Sequence, residues 1–345
     1  MDIQAHLEYL LEAARWAPSA DNSQPWRLCW DGKALAVGYD AARVQGATFP
    51  PESPATLVAM GAVLENLHQA AEAVSVGLHA SSSTTDNFFR LEVSAASSRP
   101  KDILEHPLFG RHTNRLPFQA DPLPVSLADW LVGQRQGDAR LSVVANAQDV
   151  RRVARLVGYA SELRFQTREV HQLLGRSLRF TPGEVEAADG LDVATLHLPP
   201  GGRMMLRFVR DWPRMRALNH LRAYKFLAGI EARSFANASA VLAVLGAGDR
   251  QGGLDAGRLI ERVWIEMNRR GLAVHPYYVV ADQLFRREDR TLPGHLQSSG
   301  DTLAEEAGTV FDLRLHKLYM LLRIGYPTRT PVKSRRLPLD RIRGF

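Results

Sequence analysis

Apolar residues recur at helical spacing from Leu7 to Trp16, and Pro18 ends the run, which predicts an amphipathic first helix. Two short runs, Trp26 to Trp30 and Ala34 to Val37, flank Asp31-Gly32, a dipeptide that favours a tight hairpin between strands. Residues 54–78 predict a second helix with Val63, Leu67, Ala70, Ala71 and Val74 on its apolar side, and Phe88 to Val93 predicts a strand. Further on, Val125 to Arg135 and Ala147 to Leu178 predict helices, and Leu141 to Val144 and Ala240 to Gly246 predict strands. Residues 255–272 form another helical pattern, followed by a strand-like run from Ala273 to Val280. Leu318 to Tyr326 is compatible with a strand or a helix end, and a Pro- and Arg-rich tail follows. Strands interrupted by longer helices imply an α+β protein with helices packed on sheet.

Two of these helices share an internal signature. In the first, Gly61 precedes Glu65 by four residues and Gly77-Leu78 closes the segment; in the second, Gly257 precedes Glu261 by four and Gly271-Leu272 closes it. The second carries Leu259, Val263, Trp264 and Met267 on its apolar face, and each helix leads toward a strand-like run. An approximate internal duplication follows, and such units can pack face to face as a pseudo-dimer within one polypeptide. No low-complexity linker divides them. Residues 97–106, with Pro100 inside and Pro107 just after, are the predicted junction, giving a first unit at 1–100 and a second at 101–345.

At 345 residues and 45% hydrophobic content the chain can bury one large core or two moderate ones. A single cysteine, Cys29, excludes a disulfide framework and a Cys-based zinc site, and suits a reducing cytoplasm. Asp2, Glu8 and Glu12 fall within the first helical pattern, and nowhere does an apolar run reach the roughly eighteen residues of a membrane helix; both features argue against a signal peptide or a span. The net charge of +6 would suit a polyanion, but the arginines are scattered among acids and only five of the 43 basic residues are lysines. Only the stretch 203–216 interleaves bases with aromatics as a nucleic-acid or membrane-surface site would, and it reads more simply as a solvated cover. The expected partners are small molecules, with neither nucleic acid nor membrane among them.

Several other chemistries find little support. Gly246-Ala247-Gly248-Asp249-Arg250-Gln251-Gly252-Gly253 follows a strand and precedes a helix, the context of a dinucleotide fingerprint, but its glycine spacing differs and no βαβ series surrounds it. The eleven histidines show no His-Glu-x-x-His pattern, and no Gly-x-Ser-x-Gly elbow occurs, so neither a metal site nor a serine triad is expected.

Two stretches carry more. Pro18-Ser19-Ala20-Asp21-Asn22-Ser23-Gln24-Pro25-Trp26 offers a hydroxyl and two amides on a kinked loop behind a helix, which suits the polar edge of a flat heteroaromatic ring. Arg111-His112-Thr113-Asn114-Arg115 offers two guanidinium groups and a hydroxyl at alternate positions. Arginine binds planar oxyanions through paired donors, so this stretch suits a phosphate and a developing anion. Taken singly, the amides would satisfy loop backbone and the arginines would be solvated; their ordered combination points to a site.

The segment from Leu11 to Trp26, with Ala17-Pro18-Ser19, Asn22 and Gln24-Pro25-Trp26, resembles the signature behind the first helix of the nitroreductase superfamily of FMN enzymes. Arg111-His112-Thr113-Asn114-Arg115 resembles that superfamily's Arg-x-Ser/Thr-x-Arg/Lys opening motif, and Lys333-Ser334-Arg335 with Leu337-Pro338 resembles its closing phosphate-binding tail. In ordinary members the basic motif precedes the first helix, whereas here it follows the loop. That displacement is similar to the Acg-like branch, in which two nitroreductase-like halves are fused. The resemblance implies an α+β, nitroreductase-like fold of two related halves, each a β-sheet flanked by helices, joined as an intramolecular pseudo-dimer.

It also implies an FMN-binding oxidoreductase that passes hydride through flavin N5 from a reduced nicotinamide, NAD(P)H, or another donor to a nitro, quinone or enone acceptor. Matched residue by residue, Arg111, Lys333 and Arg335 take the phosphate, Thr113 the phosphate or ribityl chain, and Arg115 the pyrimidine edge, where reduction places negative charge. Asn114 lies within the same motif and counts with the binding residues. Ser19, Asn22 and Gln24 line the ring from the other half, and Pro276, in His275-Pro276-Tyr277, sits where the family has a loop against the flavin face. No side chain is expected to be catalytic, because the cofactor carries the reaction. The first half has no arginine before Arg15, and the second has only Gln136-Gly137-Asp138-Ala139-Arg140 after its opening helix, so one FMN per chain is expected. The protein is expected to be a monomeric pseudo-dimer or a homodimer. Residues 183–216 form a candidate lid, and if they seal the flavin the protein stores FMN instead of oxidising NAD(P)H.

Overall fold

The computed structural model describes residues 3–44, 49–81, 87–94, 105–119 and 121–344. The first half runs through α1 (Ile3–Arg15), β1 (Trp26–Trp30), β2 (Ala34–Tyr39), α2 (Pro54–Ala73), β3 (Leu78–Ser81) and β4 (Asn87–Val93). The Asp31 carboxylate accepts from the backbone N–H of Lys33 and Ala34, and Gly32 takes φ +94, so the predicted turn closes on a three-residue loop.

The second half opens with α3 (Pro107–Gly110), β5 (Phe118–Gln119), α4 (Val125–Gly133), β6 (Arg135–Gln136) and β7 (Ala139–Val144). A long excursion follows through α5 (Ala147–Gln166), α6 (Arg168–Ser177), β8 (Leu178–Arg179), α7 (Pro182–Glu186), β9 (Leu191–Asp192), α8 (Gly202–Val209), α9 (Trp212–His220) and α10 (Ala223–Ala236). The chain then returns through β10 (Ala240–Gly246), α11 (Arg250–Arg269), β11 (Ala273–Tyr277), α12 (Val279–Glu288), α13 (Gln297–Val310) and β12 (Lys317–Pro327). It ends in α14 (Leu339–Ile342) and β13 (Arg343–Gly344).

The two main sheets share one plan. Their strand orders are β13-β1-β2-β4-β3 and β11-β12-β10-β7-β6, so β1, β2, β3 and β4 correspond to β7, β10, β11 and β12. What a tight turn does between β1 and β2, the helical excursion does between β7 and β10. Every residue of β10 is buried. Val241, Ala243 and Leu245 pack with α5 and α13 on one face, while Leu242 and Val244 pack with α11 on the other, the pattern of a strand covered on both sides. The first core gathers Leu10, Trp26, Met60 and Leu67, each fully buried and each contributing about 1.5–3 kcal/mol from apolar burial alone.

The duplication is sharpest where α2 crosses α11. Both are twenty residues long, and each position of α2 matches the one 196 later in α11, from Pro54 and Arg250 to Ala73 and Arg269. Ser53 and Asp249 are the matching N-caps, accepting from the N–H of Thr56 and Gly252. A Cβ on Gly61 would lie 2.0 Å from the Leu254 carbonyl oxygen, and one on Gly257 would lie 2.1 Å from that of Val58, the residue matching Leu254. Such reciprocal contacts are the mark of a two-fold interface, here inside one chain.

Several boundaries differ from the sequence expectation. The first long helix stops at Ala73 instead of running to 78, and the left-handed residue after it is Ser75 (φ +56), so Ser75 and not Gly77 matches Gly271 (φ +78). Its partner begins at Arg250 instead of 255, because Asp249 supplies the cap. The run 147–178 is two helices broken at Thr167, whose ψ of 109° leaves the helical region. Arg135 leaves its helix for β6, the strand from Ala273 stops at Tyr277, and 318–326 lies within the strand β12. Residues 97–104 of the expected junction lie outside the described residues. After β12 the tail crosses back: β13 pairs in parallel with β1, Leu28 opposite Arg343, and Leu337 and Ile342 enter the first core.

Candidate functional site

Behind α1 the loop from Ser19 to Gln24 turns through three non-glycine residues at positive φ, Asp21, Asn22 and Gln24. Asp and Asn tolerate that region because their short side chains bond locally, and the Ser19 hydroxyl fixes the bend by accepting from the Gln24 N–H at 2.9 Å. The amides then hold two remote segments. Asn22 donates to the Arg335 carbonyl at 3.1 Å, and Gln24 donates to the Ala188 carbonyl at 2.9 Å and accepts from the Leu337 N–H at 2.9 Å. The loop thus clasps the C-terminal tail on one side and the candidate lid on the other.

The basic motif lies along α11 and β11. The His112 N–H donates to Asn268 at 2.8 Å, Trp264 donates to the His112 carbonyl at 2.9 Å, and the Asn114 N–H donates to the Val274 carbonyl at 2.8 Å. Pinned this way, the strip sends its two arginines to different places. Arg111 is buried in the seam, over the Trp264 ring, donating to the Trp16 carbonyl at 2.5 Å and lying 2.8 Å from Glu261. Arg115 points instead toward the cover, 3.5 Å from both oxygens of Thr195. Thr113, between them in the chain, is half-buried.

Glu65 and Glu261 are matching residues with opposite electrostatics. Burial pushes Glu65 up, but Arg262 at 2.8 and 3.0 Å, Arg258 at 3.2 Å and Gln69 at 3.1 Å all donate to it, and its carboxyl ends below the ordinary value. Glu261 is fully buried, its approach to Arg111 is misaligned, and neither of its oxygens has a hydrogen-bond partner among the described residues. Burial therefore raises its carboxyl to about 7, against the pull of Arg111 and Arg336. Because the folded pKa is raised, protonated Glu261 stabilises the fold at acid pH, and that contribution is lost as pH rises through about 7. Urea denaturation should show the wild type losing up to about 3 kcal/mol between pH 4.5 and 8.5 relative to Glu261→Gln; parallel curves would reject the assignment.

Of the tail residues expected at the site, Lys333 and Arg335 are exposed; the Lys333 charge reaches His112, while Arg335 gives its carbonyl to Asn22. The tail cation that enters the seam is Arg336. It donates to the Asn22 amide oxygen at 2.8 Å, its Nε has no partner, and burial beside Arg111 pulls it down to about 9. Sequence reasoning missed it because three basic residues stand within four positions and only packing selects among them.

Arg115 is held down to about 10 by burial, with Asp21 opposing. Asp21 is raised by burial, with Arg115 and Arg164 opposing, so the loop brings a carboxyl whose charge acts on Arg115. Behind it Arg323 is also pulled down to about 10 by burial and by Arg115, and His275 is held well below 6.5 by burial and both arginines, hence neutral. Pro276 lies within β11, opposite Leu322, in place of the expected loop. Next to it the Tyr277 hydroxyl donates to Glu231 at 2.5 Å and meets Ser161 at 2.6 Å, and Arg164 closes the network on Glu231.

Residues 4–71 match the nitroreductase family model. An uncharacterized protein of Mycobacterium tuberculosis (strain CDC 1551 / Oshkosh) is 26% identical over 327 residues, covering 91% of this chain but 42% of its own length, so the chain spans less than half of that relative. Among solved structures, the FMN-dependent nitroreductase NfnB from Mycobacterium smegmatis in complex with NADPH aligns with a TM-score of 0.39 at 18% identity, over 70% of this chain and 96% of its own. A nitroreductase with bound FMN from Bacteroides fragilis aligns with a TM-score of 0.35 at 11% identity, over 68% of this chain and 96% of its own. No described helix is long and apolar enough to cross a membrane.

Proposed function

We propose that the chain, whose residues 4–71 match the nitroreductase family model, is an FMN-dependent oxidoreductase of that superfamily using NAD(P)H or another hydride donor to reduce a small organic acceptor of nitro, quinone or enone type. The observation that carries this reading is Arg115. Among the described residues no carboxylate lies within ion-pair distance of it, its contacts to Thr195 are long, and it sits among further cations in a desolvated strip. A guanidinium left so poorly satisfied fits an anionic ligand group.

The donor set fits FMN along the strip from seam to cover. Arg111 and Arg336, with two cations against one half-protonated Glu261, suit its phosphate. Thr113 lies between Arg111 and Arg115 in the chain, and the charge of exposed Lys333 acts on His112. FMN bound there would supply hydride acceptance and donation at N5. Arg115 would hold a fixed positive charge where electrons accumulate, and neutral His275 would add none of its own. Ser19, Asn22 and Gln24 would shape the ring-side wall through the loop that their hydrogen bonds fix.

One FMN per chain follows from the inequality of the two seam ends. Glu65 is satisfied by Arg258, Arg262 and Gln69, whereas at Glu261 two guanidinium groups are left underused. Flavin released from purified, reconstituted protein should therefore approach one per polypeptide, and a ratio near two would contradict the inequality.

A storage role is the second reading, favoured by the contacts of the cover. Ala188 is tied to Asn22 and Gln24, and Thr195 lies against Arg115, so the candidate lid rests on both sides of the strip. Anaerobic addition of NADPH or NADH to the flavin-loaded protein separates the two. Bleaching of the flavin absorbance is the expected result; no bleaching, with dithionite still reducing the flavin, would leave storage in its place.

A further inference from the structure

The segment from Gly202 to Ile230 comprises α8, α9 and the first half of α10. It holds seven of the chain's 43 Lys and Arg but one of its 37 Asp and Glu. The remainder has thirty-six of each, so the whole net charge of +6 resides in these 29 residues. All seven cations, from Arg203 to Lys225, are exposed. Among the described residues only Arg214, 3.5 Å from Asp211, has a carboxylate within ion-pair distance.

The same segment carries six of the twelve exposed large apolar side chains among the described residues. Leu221 is 80% exposed, Met204 77%, Phe226 68% and Met205 55%, with Phe208 and Ile230 close behind. Arg214 lies over the Phe208 ring at 5.1 Å, so bases and apolar groups form one surface and not two. Single exposed apolar residues need no explanation, but this density within a wholly cationic stretch does.

We propose that this face docks on the surface of a bilayer containing anionic lipid. Apolar side chains on a short amphipathic helix enter the headgroup boundary, and flanking Arg and Lys keep their charges among lipid phosphates while their stems stay in the apolar layer. Charge complementarity selects this occupant. A second copy of the chain would, at a two-fold interface, set seven cations against seven. Nucleic acid would engage the arginines but leave Met204, Leu221 and Ile230 without a partner to stack on. The expectation of no membrane partner is thereby revised for this face alone, as contact with a surface and not as a span.

Sedimentation with phosphatidylcholine vesicles, with and without phosphatidylglycerol, tests this directly. The protein should pellet with the anionic vesicles only. Partition should fall about fivefold for each of Arg203→Gln and Arg207→Gln, and should also fall for Phe226→Ser, which leaves the charge unchanged. Failure of the wild type to pellet would overturn the proposal. So would pelleting insensitive to Phe226→Ser and matched by equal binding to duplex DNA, which would make the face a general polyanion binder, or self-association without vesicle binding, which would make it a dimer contact.

Discussion

Gly61→Ala should lower the free energy of unfolding by about 1–3 kcal/mol, although alanine is the better helix former by about 1 kcal/mol. The added Cβ would stand 2.0 Å from the Leu254 carbonyl oxygen, and the atoms in the way are backbone of a buried helix, which cannot rotate aside. Relief requires α2 and α11 to separate along the contact that joins the two cores. Gly257→Ala should behave alike, since its Cβ would meet the Val58 carbonyl at 2.1 Å. Because one separation relieves both clashes, the double variant should lose less than the sum of the singles. Urea melts of the three proteins decide it. Variants as stable as the wild type would mean that the helices do not cross at these glycines.

Arg111→Ala should have the second large effect, and in two separable ways. Losing a charged contact to phosphate should weaken FMN binding roughly tenfold to a hundredfold. The fold should suffer as well, because removing one partner of a buried ion pair costs about 3–5 kcal/mol. That cost depends on pH. Arg111 pulls the Glu261 carboxyl down to about 7, so without it the carboxyl titrates higher still, and the variant loses most above about 7, where the wild-type pair is ionised; in acid Glu261 is protonated in both proteins and the loss shrinks. Arg111→Ala with Glu261→Gln should therefore regain most of the stability at pH 8.5 while still binding FMN weakly. If the double variant recovered flavin affinity too, Arg111 would act only by supporting Glu261, and the phosphate assignment would fail. Flavin fluorescence titration and urea melts on the same preparations give both readouts.

These two expectations differ in how far the sequence foretells them. The glycine at 61 and its counterpart at 257, each four residues before a glutamate, are visible as a repeat in the chain. Helical periodicity and the Asp31-Gly32 turn are likewise local, set by side-chain spacing and backbone preference within a few residues. So α1, the first hairpin, β10 and the pair α2 and α11 are legible, with ends displaced by a few residues because caps such as Asp249 act at the margin of the pattern.

What a linear reading misses is which of several similar groups is taken out of water. Arg336 and not Arg335 enters the seam, Asp21 puts its charge on Arg115 although it sits among better candidates on its loop, and Glu65 and Glu261 part company despite their matching positions. The return of β13 to the first sheet depends on an edge strand, β1, that is nearly the whole chain away. Composition, periodicity and motif order are properties of neighbours along the chain, and they determined the α+β class, the doubling and the two stretches proposed for the site. Desolvation and charge pairing depend on distances between residues remote in sequence, so the tertiary structure alone decided which of the arginines and carboxylates are buried together, and which were left in water.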